Sequence, residues 1–182
     1  MVIFMNSLTS KVLVVSHCLL NKSVRWWQEG KPLERNIGLA NNVIEYALRH
    51  NIGLIQMPCP EFTFCGNPRP SRRKDEYEVL PGFKEHCERL ARTFAKQIKM
   101  LVTMSKNPRI HIIAVIGVKR SPSCAVRTAI SMRNGLLYQN EKGIFIEFLE
   151  KELNVYGQTT LPFLEFDFDN PGELTEILEK IV

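Results

Sequence analysis

Short runs of consecutive apolar residues alternate with longer stretches of helical periodicity along this chain. Lys11–Ser16 (KVLVVS), Gly53–Met57 (GLIQM) and His111–Val118 (HIIAVIGV) are rich in β-branched residues and lack the polar alternation of a half-exposed strand. Such runs predict strands that are buried on both faces. We predict a further strand over Leu161–Phe168.

The segments between these runs carry apolar residues at the spacing of amphipathic helices. They predict helices over Asn36–His50, Gly82–Ser105, Gly143–Leu153 and Glu173–Val182. The segment Cys59–Tyr77 is rich in Pro, Arg and Gly and is interpreted as irregular.

Strands that alternate with helices predict a parallel sheet with right-handed crossovers. A chain of 182 residues is long enough to bury one substantial core. We therefore predict a single α/β domain over residues 1–182, a three-layer Rossmann-like or flavodoxin-like domain with a mainly parallel sheet.

Composition and charge narrow the class of protein. Hydrophobic residues make up 45% and charged residues 24%, which is typical of a globular protein and excludes a disordered one. The net charge of +5 comes from scattered basic residues, so we do not expect nucleic acid as the main partner. Met1–Ser10 lacks the basic region of an export signal and no run is long enough to span a membrane, which together predict a cytoplasmic protein with reduced cysteines.

Three of the five cysteines follow predicted strands. Cys18, Cys59 and Cys124 come soon after the first, second and third strands. Because parallel strands end at one edge of the sheet, where ligands bind, we expect these three side chains to meet there. Cys87 lies on the apolar stripe of a helix and is predicted to be core, whereas the position of Cys65 leaves its role open.

Three converging thiolates allow two main kinds of metal centre. Zinc takes a tetrahedral ligand set and keeps one position open when it is catalytic. A cubane iron–sulfur cluster takes one thiolate per iron, so three cysteines leave one iron free. The chain has no Cys-x-x-Cys pair of the structural zinc type, and spacing alone does not choose between the two.

Three short motifs around these cysteines resemble a known family. Ser16–Asn21 (SHCLLN), Pro58–Glu61 (PCPE) and Arg120–Cys124 (RSPSC) are similar to the signatures of the thiouracil desulfurase family, and most similar to a branch of related desulfidases. The resemblance extends from about Val12 to Val126. Taken together and in this order the three motifs are specific, although each alone is weak.

The resemblance implies a Rossmann-like fold and a 4Fe-4S cluster held by Cys18, Cys59 and Cys124. It also implies a reaction in which the free iron captures the sulfur of a thiocarbonyl and water replaces it without net oxidation or reduction. The chain departs from the family pattern at Ala125, where the family has Gly, and at Cys65, an unexpected cysteine that would close the open iron if it were a fourth ligand.

Polar residues beside the cysteines are candidate catalytic groups. Glu61 is a candidate proton donor or water-orienting group, the alternative being an exposed loop carboxylate. Ser121 and Ser123 could donate hydrogen bonds to cluster or substrate sulfur, or could only stabilise a turn. His17 could transfer a proton near neutral pH, or could point away from the site.

Arginines and tryptophans supply candidate substrate contacts. Arg69 and Arg120 could bind an anionic group such as a phosphate, or could be solvated surface residues. Trp26 and Trp27 could form the wall of a pocket for a planar base, or could pack against a partner subunit.

The leading hypothesis is an iron–sulfur enzyme that removes sulfur from a small thiolated compound, such as a thiolated base or nucleotide. The second is a zinc-binding hydrolase that uses the same three cysteines. The third is a non-catalytic metal or cluster sensor that contacts a partner or RNA. The sequence leaves the oligomeric state open, a homodimer included.

Overall fold

The computed structural model describes residues 8–27, 29–157 and 160–182. Most of the segment in which an export signal was sought, residues 1–7, lies outside them. The strands are β1 (Thr9–Val15), β2 (Gly53–Gln56), β3 (Arg109–Val118), β4 (Ala129–Arg133), β5 (Leu136–Glu141) and β6 (Phe163–Phe166). A four-stranded parallel sheet has the order β2-β1-β3-β6, and a separate antiparallel pair is formed by β4 and β5.

Helices connect the strands and lie on both faces of the sheet. They are α1 (His17–Leu20), α2 (Asn41–Arg49), α3 (Pro60–Cys65), α4 (Lys74–Glu78), α5 (Phe83–Met104), α6 (Ile144–Val155) and α7 (Gly172–Leu178). Within the described residues, none of them combines the length and the apolar character that crossing a bilayer requires.

The central strand β1 buries side chains on both of its faces. Val12 and Val14 belong to the core that includes α5 and α6, whereas Leu13 and Val15 belong to the core that includes α2 and α7. Continuous burial explains why this strand reads as an unbroken apolar run. The predicted α/β fold with a mainly parallel sheet between helices is confirmed.

The predicted helix over Asn36–His50 begins five residues too early. The observed helix starts at Asn41, and Ile37 and Leu48, expected on its buried face, are 57% and 76% exposed. Gly38 has a φ of 81°, a left-handed conformation that a right-handed helix cannot contain. This glycine separates the helix from the short 3₁₀ turn before it.

The prediction that Cys59–Tyr77 is irregular is wrong, because α3 and α4 lie in it. Pro60 occupies the first turn of α3, where a missing N–H costs nothing, and the Cys59 thiol accepts the Phe62 N–H at 3.4 Å. The Glu76 carboxylate accepts the Arg73 N–H at 2.6 Å at the start of α4. Helices this short carry too few turns for a periodic signal.

The hairpin of β4 and β5 was not predicted. Asn134 and Gly135 connect its strands with φ angles of 51° and 76°, the pair of positive values that a type I′ turn requires. The Asn-Gly dipeptide was therefore an available signal. Arg133 of β4 forms ion pairs with Glu141 of β5 at 2.8 Å and with Glu78 of α4 at 2.7 Å, which connects the hairpin to α4.

Candidate active site

Three cysteines lie just beyond the carboxyl ends of three parallel strands. Cys18 is in α1 after β1, Cys59 precedes α3 after β2, and Cys124 is in the loop after β3. All three line one cavity of about 280 Å³. The structure thus brings together the cysteines that the positions of the predicted strands had selected.

Burial and mutual repulsion make these thiols weak acids. Burial is the main cause that raises the pKa of Cys18 to about 12, that of Cys59 to about 11 and that of Cys124 well above its usual value. Negative charge on Cys59 further raises the pKa of Cys18 and of Cys124. A metal centre bound here must displace these protons and would relieve the repulsion.

A single ion and a cluster require different spacings of their ligands. In the part of the chain that the structure describes, no three His, Cys, Asp or Glu side chains are arranged to hold a metal ion. Thiolates that share one zinc at about 2.3 Å would lie only about 3.8 Å apart. Thiolates of a cubane each bind a different iron and so need no such close approach. A donor set of three thiols around one cavity is chemically suited to such a cluster.

The Cys124 loop is closely packed between two glycines. A Cβ on Gly117 of β3 would lie 2.2 Å from the Cys124 carbonyl oxygen, and one on Gly143 would lie 2.3 Å from the Ser123 carbonyl carbon. Only glycine permits backbones to approach this closely. Ala125 is fully buried and has no positive φ, so alanine fits without strain where the family pattern has glycine.

Glu61 is the centre of a buried polar network. Its Oε1 accepts hydrogen bonds from Ser123 at 2.6 Å and from Ser121 at 3.3 Å. Its Oε2 accepts from Arg69 at 3.2 Å and from Tyr77 at 3.5 Å. Glu61 is only 7% exposed but lines the cavity, so it is not the exposed loop carboxylate of the alternative interpretation.

The two serines stabilise the turn and lie beside the Cys124 thiol. Ser121 Oγ accepts the Cys124 N–H at 3.0 Å and so stabilises the turn. Ser123 Oγ lies 3.5 Å from Cys124 Sγ and also donates to Glu61. The serines therefore connect the carboxylate to the cysteine loop.

Arg69 is not a solvated surface residue. It is 4% exposed, and its guanidinium donates to Glu61, to the Gly66 carbonyl at 3.3 Å and to the Asn67 side chain at 2.7 Å. Its Nε is buried without a partner among the described residues. Most of its donors are thus used within the protein, which makes it the counter-ion of Glu61.

The structure does not bring His17 into the cavity. Its ring contacts the side chain of Gln56 at 3.3 Å, and His17 is not among the residues that line the cavity. Arg120 does line it, but its guanidinium lies 2.6 Å from both Asp167 and Asp169. Its charge is therefore already paired.

Sequence reasoning missed Arg25 and Arg72, which also line the cavity. Arg25 lies 3.9 Å over the ring of Phe168, and Arg72 contacts Cys65 Sγ at 4.0 Å. Neither forms an ion pair with a carboxylate of the described residues. The cavity lining includes two acidic residues, Glu61 and Asp169, and six basic ones, which are Arg25, Arg35, Arg69, Arg72, Lys119 and Arg120. No periodic or motif signal identifies Arg25, because its place depends on the fold of its loop.

The two tryptophans and the two other cysteines differ in whether they line the cavity. Trp26 lines the cavity, whereas Trp27 is 49% exposed and does not. Cys87 is fully buried in the core, as predicted. Cys65 lies outside the cavity lining, so this arrangement gives no support to a fourth cysteine ligand.

Comparison with known proteins bears on this site. A family model described as "Putative 2-thiouracil desulfurase" matches residues 10–181. The chain belongs to this family. The match includes all three cysteine motifs and extends well beyond the span of the resemblance. The family description is that of an enzyme that removes sulfur from a thiolated base.

A relative from Methanocaldococcus jannaschii, named "Uncharacterized protein MJ0003", is 29% identical over 172 residues. The aligned region covers 94% of this chain and 97% of the relative. No solved structure matches the chain.

Proposed function

We propose that this desulfurase uses a 4Fe-4S cluster, held by Cys18, Cys59 and Cys124, to remove sulfur from a thiolated base or nucleotide. The thiocarbonyl C=S bond and water are converted to a carbonyl C=O bond and hydrogen sulfide, so no oxidant or reductant is consumed. The observation that carries the proposal is the lining of one cavity by three cysteines in a chain of a desulfurase family.

The donor set is suited to a cluster. Three thiols line one cavity, and negative charge on Cys59 and on Cys18 raises the pKa of Cys124. This combination suits a larger centre in which each thiolate binds its own iron. When bound, such a cluster supplies an iron without a cysteine ligand, which is a Lewis acid for a soft thiocarbonyl sulfur.

Glu61 is the group that we expect to move protons. Its carboxylate lines the cavity and is linked through Ser123 to the Cys124 loop. It accepts a proton from the attacking water and returns it to the departing sulfide, while Arg69 holds it in place. Ser121 and Ser123 orient the oxygen that accepts this proton.

The positive lining favours an anionic substrate. Arg69 and Arg120, the arginines proposed from the sequence, are paired with carboxylates. Arg25 and Arg72 line the cavity and form no ion pair with a carboxylate among the described residues. Trp26 and Phe168 add aromatic surface beside Arg25. These groups support binding of a thiolated nucleotide, through its phosphate and its base, in preference to a neutral base.

The test is purification without oxygen, followed by iron and sulfide analysis and a sulfide-release assay on thiolated uracil and its nucleotide. About four irons and four sulfides per chain are expected, with a broad absorption near 400 nm. Cys124→Ala abolishes both cluster and activity, whereas Cys87→Ala, which removes a buried thiol of the core, keeps the cluster. Equal cluster retention in the two variants would overturn the proposal.

The alternative of a zinc hydrolase has a distinct outcome in the same experiment. A colourless anaerobic preparation with one zinc per chain and no sulfide release would support it. An iron–sulfur protein that releases no sulfide from any thiolated compound would support the sensor. A cytoplasmic location remains a prediction, and the oligomeric state stays open.

A further inference from the structure

Glu165 is a buried carboxylate that lies behind the Cys124 loop and outside the cavity lining. It is 8% exposed, in strand β6 opposite Gly117 of β3. Its Oε1 accepts the backbone N–H groups of Val126 at 2.7 Å, Arg127 at 2.8 Å and Thr128 at 3.1 Å. The Thr128 hydroxyl donates to the same oxygen at 3.0 Å.

Three consecutive N–H groups that converge on one oxygen form an anion-binding concavity in the backbone. Here the anion is a side chain of the same protein. A buried carboxylate is costly unless hydrogen bonds compensate for its lost hydration. The four donors provide that compensation at Oε1, whereas Oε2 is buried without a partner among the described residues. A neutral oxygen would hold the same donors less strongly. The chemistry therefore explains why an acidic residue occupies this position.

The loop on which Glu165 acts follows Cys124 directly. On its other sides, the Val118 N–H donates to the Cys124 carbonyl at 3.0 Å and the Gly143 N–H donates to the Ala125 carbonyl at 2.7 Å. Strand β3, helix α6 and Glu165 thus hold the segment from three directions. Without Glu165 the third of these attachments is lost.

Cys124 depends on such external attachments more than the other two cysteines do. Cys18 lies within α1, and Cys59 is the N-cap residue of α3. The helix therefore fixes the backbone position of each of these two cysteines. Cys124 lies in neither a helix nor a strand. Its position is therefore decided by what the surrounding loop binds.

We propose that Glu165 is a positioning residue that holds the Cys124 thiol at the cavity, so that the third ligand is in place before a cluster binds. Its importance for the cluster rests on the proposed function. Its effect on the loop does not, because the hydrogen bonds are within the chain. Glu165 is not among the residues that line the cavity, and its hydrogen bonds go to residues 126–128.

The first test uses metal-free protein with the variants Glu165→Ala and Glu165→Gln. In Glu165→Ala, hydrogen exchange at the amides of residues 126–128 and alkylation of Cys124 relative to Cys59 each increase about tenfold or more, as expected for loss of hydrogen bonds to a charged group. Glu165→Gln shows a smaller increase, because its amide oxygen still accepts. The control Glu173→Gln, which removes a partly exposed carboxylate paired with Lys119, leaves both rates unchanged.

Unchanged exchange and alkylation in a folded Glu165→Ala protein would overturn the proposal. If that variant does not fold, Glu165→Gln decides: rates equal to those of the wild type would overturn the proposal, and a rise confined to residues 126–128 and Cys124 would support it. A rise at Cys18, Cys59 and Cys124 alike would show general loosening of the fold and would also overturn it.

The second test measures iron content and the electron paramagnetic resonance spectrum after anaerobic cluster assembly. Glu165→Ala is expected to hold about tenfold less iron than wild type at equal protein concentration, with an altered spectrum in what remains. Glu173→Gln matches wild type. If wild type itself binds no cluster while the exchange and alkylation results hold, the proposed function fails but the role of Glu165 in placing Cys124 stands.

Discussion

Ser123 donates a 2.6 Å hydrogen bond to Glu61, a residue 62 positions earlier in the chain. The same hydroxyl lies 3.5 Å from the thiol of Cys124. This contact joins helix α3, which follows β2, to the loop after β3 and places a carboxylate beside a predicted cluster ligand. One hydroxyl therefore connects the proposed proton-transfer group to the proposed cluster ligand.

Replacing Glu61 with Gln should lower turnover about 10²-fold or more while the cluster is retained, because the amide keeps the shape but cannot take up a proton. Sulfide release under saturating substrate measures this, with iron content measured in parallel. Glu88→Gln, a change of a partly exposed carboxylate on α5, is the matched control. A Glu61→Gln enzyme with wild-type turnover would exclude Glu61 as the proton carrier.

Replacing Arg25 with Ala should raise the KM for a thiolated nucleotide about tenfold or more and change the KM for the free thiolated base much less. The reason is that Arg25 lines the cavity without a carboxylate partner in the described part of the chain, so its charge is available to a phosphate. Steady-state kinetics on both compounds measure the difference. Arg49→Ala, an exposed change on α2, serves as control, and an equal change in both KM values would contradict the assignment.

Replacing Gly143 with Ala should destabilise the protein by about 1–3 kcal/mol or more and reduce cluster loading, because the added Cβ would lie 2.3 Å from the Ser123 backbone. Gly172→Ala at the start of α7 is the control, since nothing lies within 4 Å of its added Cβ. Urea unfolding of both variants gives the comparison. Similar free energies of unfolding would show that the Cys124 loop accommodates the added Cβ at little energetic cost.

Acid should weaken the attachment of the hairpin. Hydrogen bonds from Arg133 are the main cause that lowers the pKa of Glu141 to about 2 from its ordinary value of 4.5. Because the folded pKa is the lower one, the stabilisation is fully present above about pH 4.5 and is lost as the pH falls through about 2.

Urea unfolding at several pH values between 5 and 2, about the range set by the two pKa values, tests this expectation. The loss of stability in wild type over this range should be smaller in Glu141→Gln, which lacks the carboxylate. An equal loss of stability in the two proteins would show that the ionisation of Glu141 is not coupled to folding.

The local pattern of apolar residues was sufficient to predict the strands of the parallel sheet and the edge of the sheet at which the candidate site lies. The apolar runs at β1, β2 and β3 reflect burial on both faces, and a parallel sheet has only one carboxyl edge. The same pattern did not predict the short helices and the hairpin. Helices α3 and α4 depend on caps and have too few turns to show a period, whereas the Asn134-Gly135 dipeptide is a local signal for the hairpin turn.

By itself, the sequence determined where the candidate site residues lie relative to the strands. Cys18, Cys59 and Cys124 each follow a buried apolar run, and the motifs around them identify the family. Only the tertiary structure decided which polar groups join them. Arg69 turns inward to Glu61, Arg120 is paired with aspartates, and His17 lies outside the cavity. The physical reason is reach: a strand follows from neighbouring residues, whereas the partner of a long polar side chain is supplied by a segment distant in the chain and known only after folding.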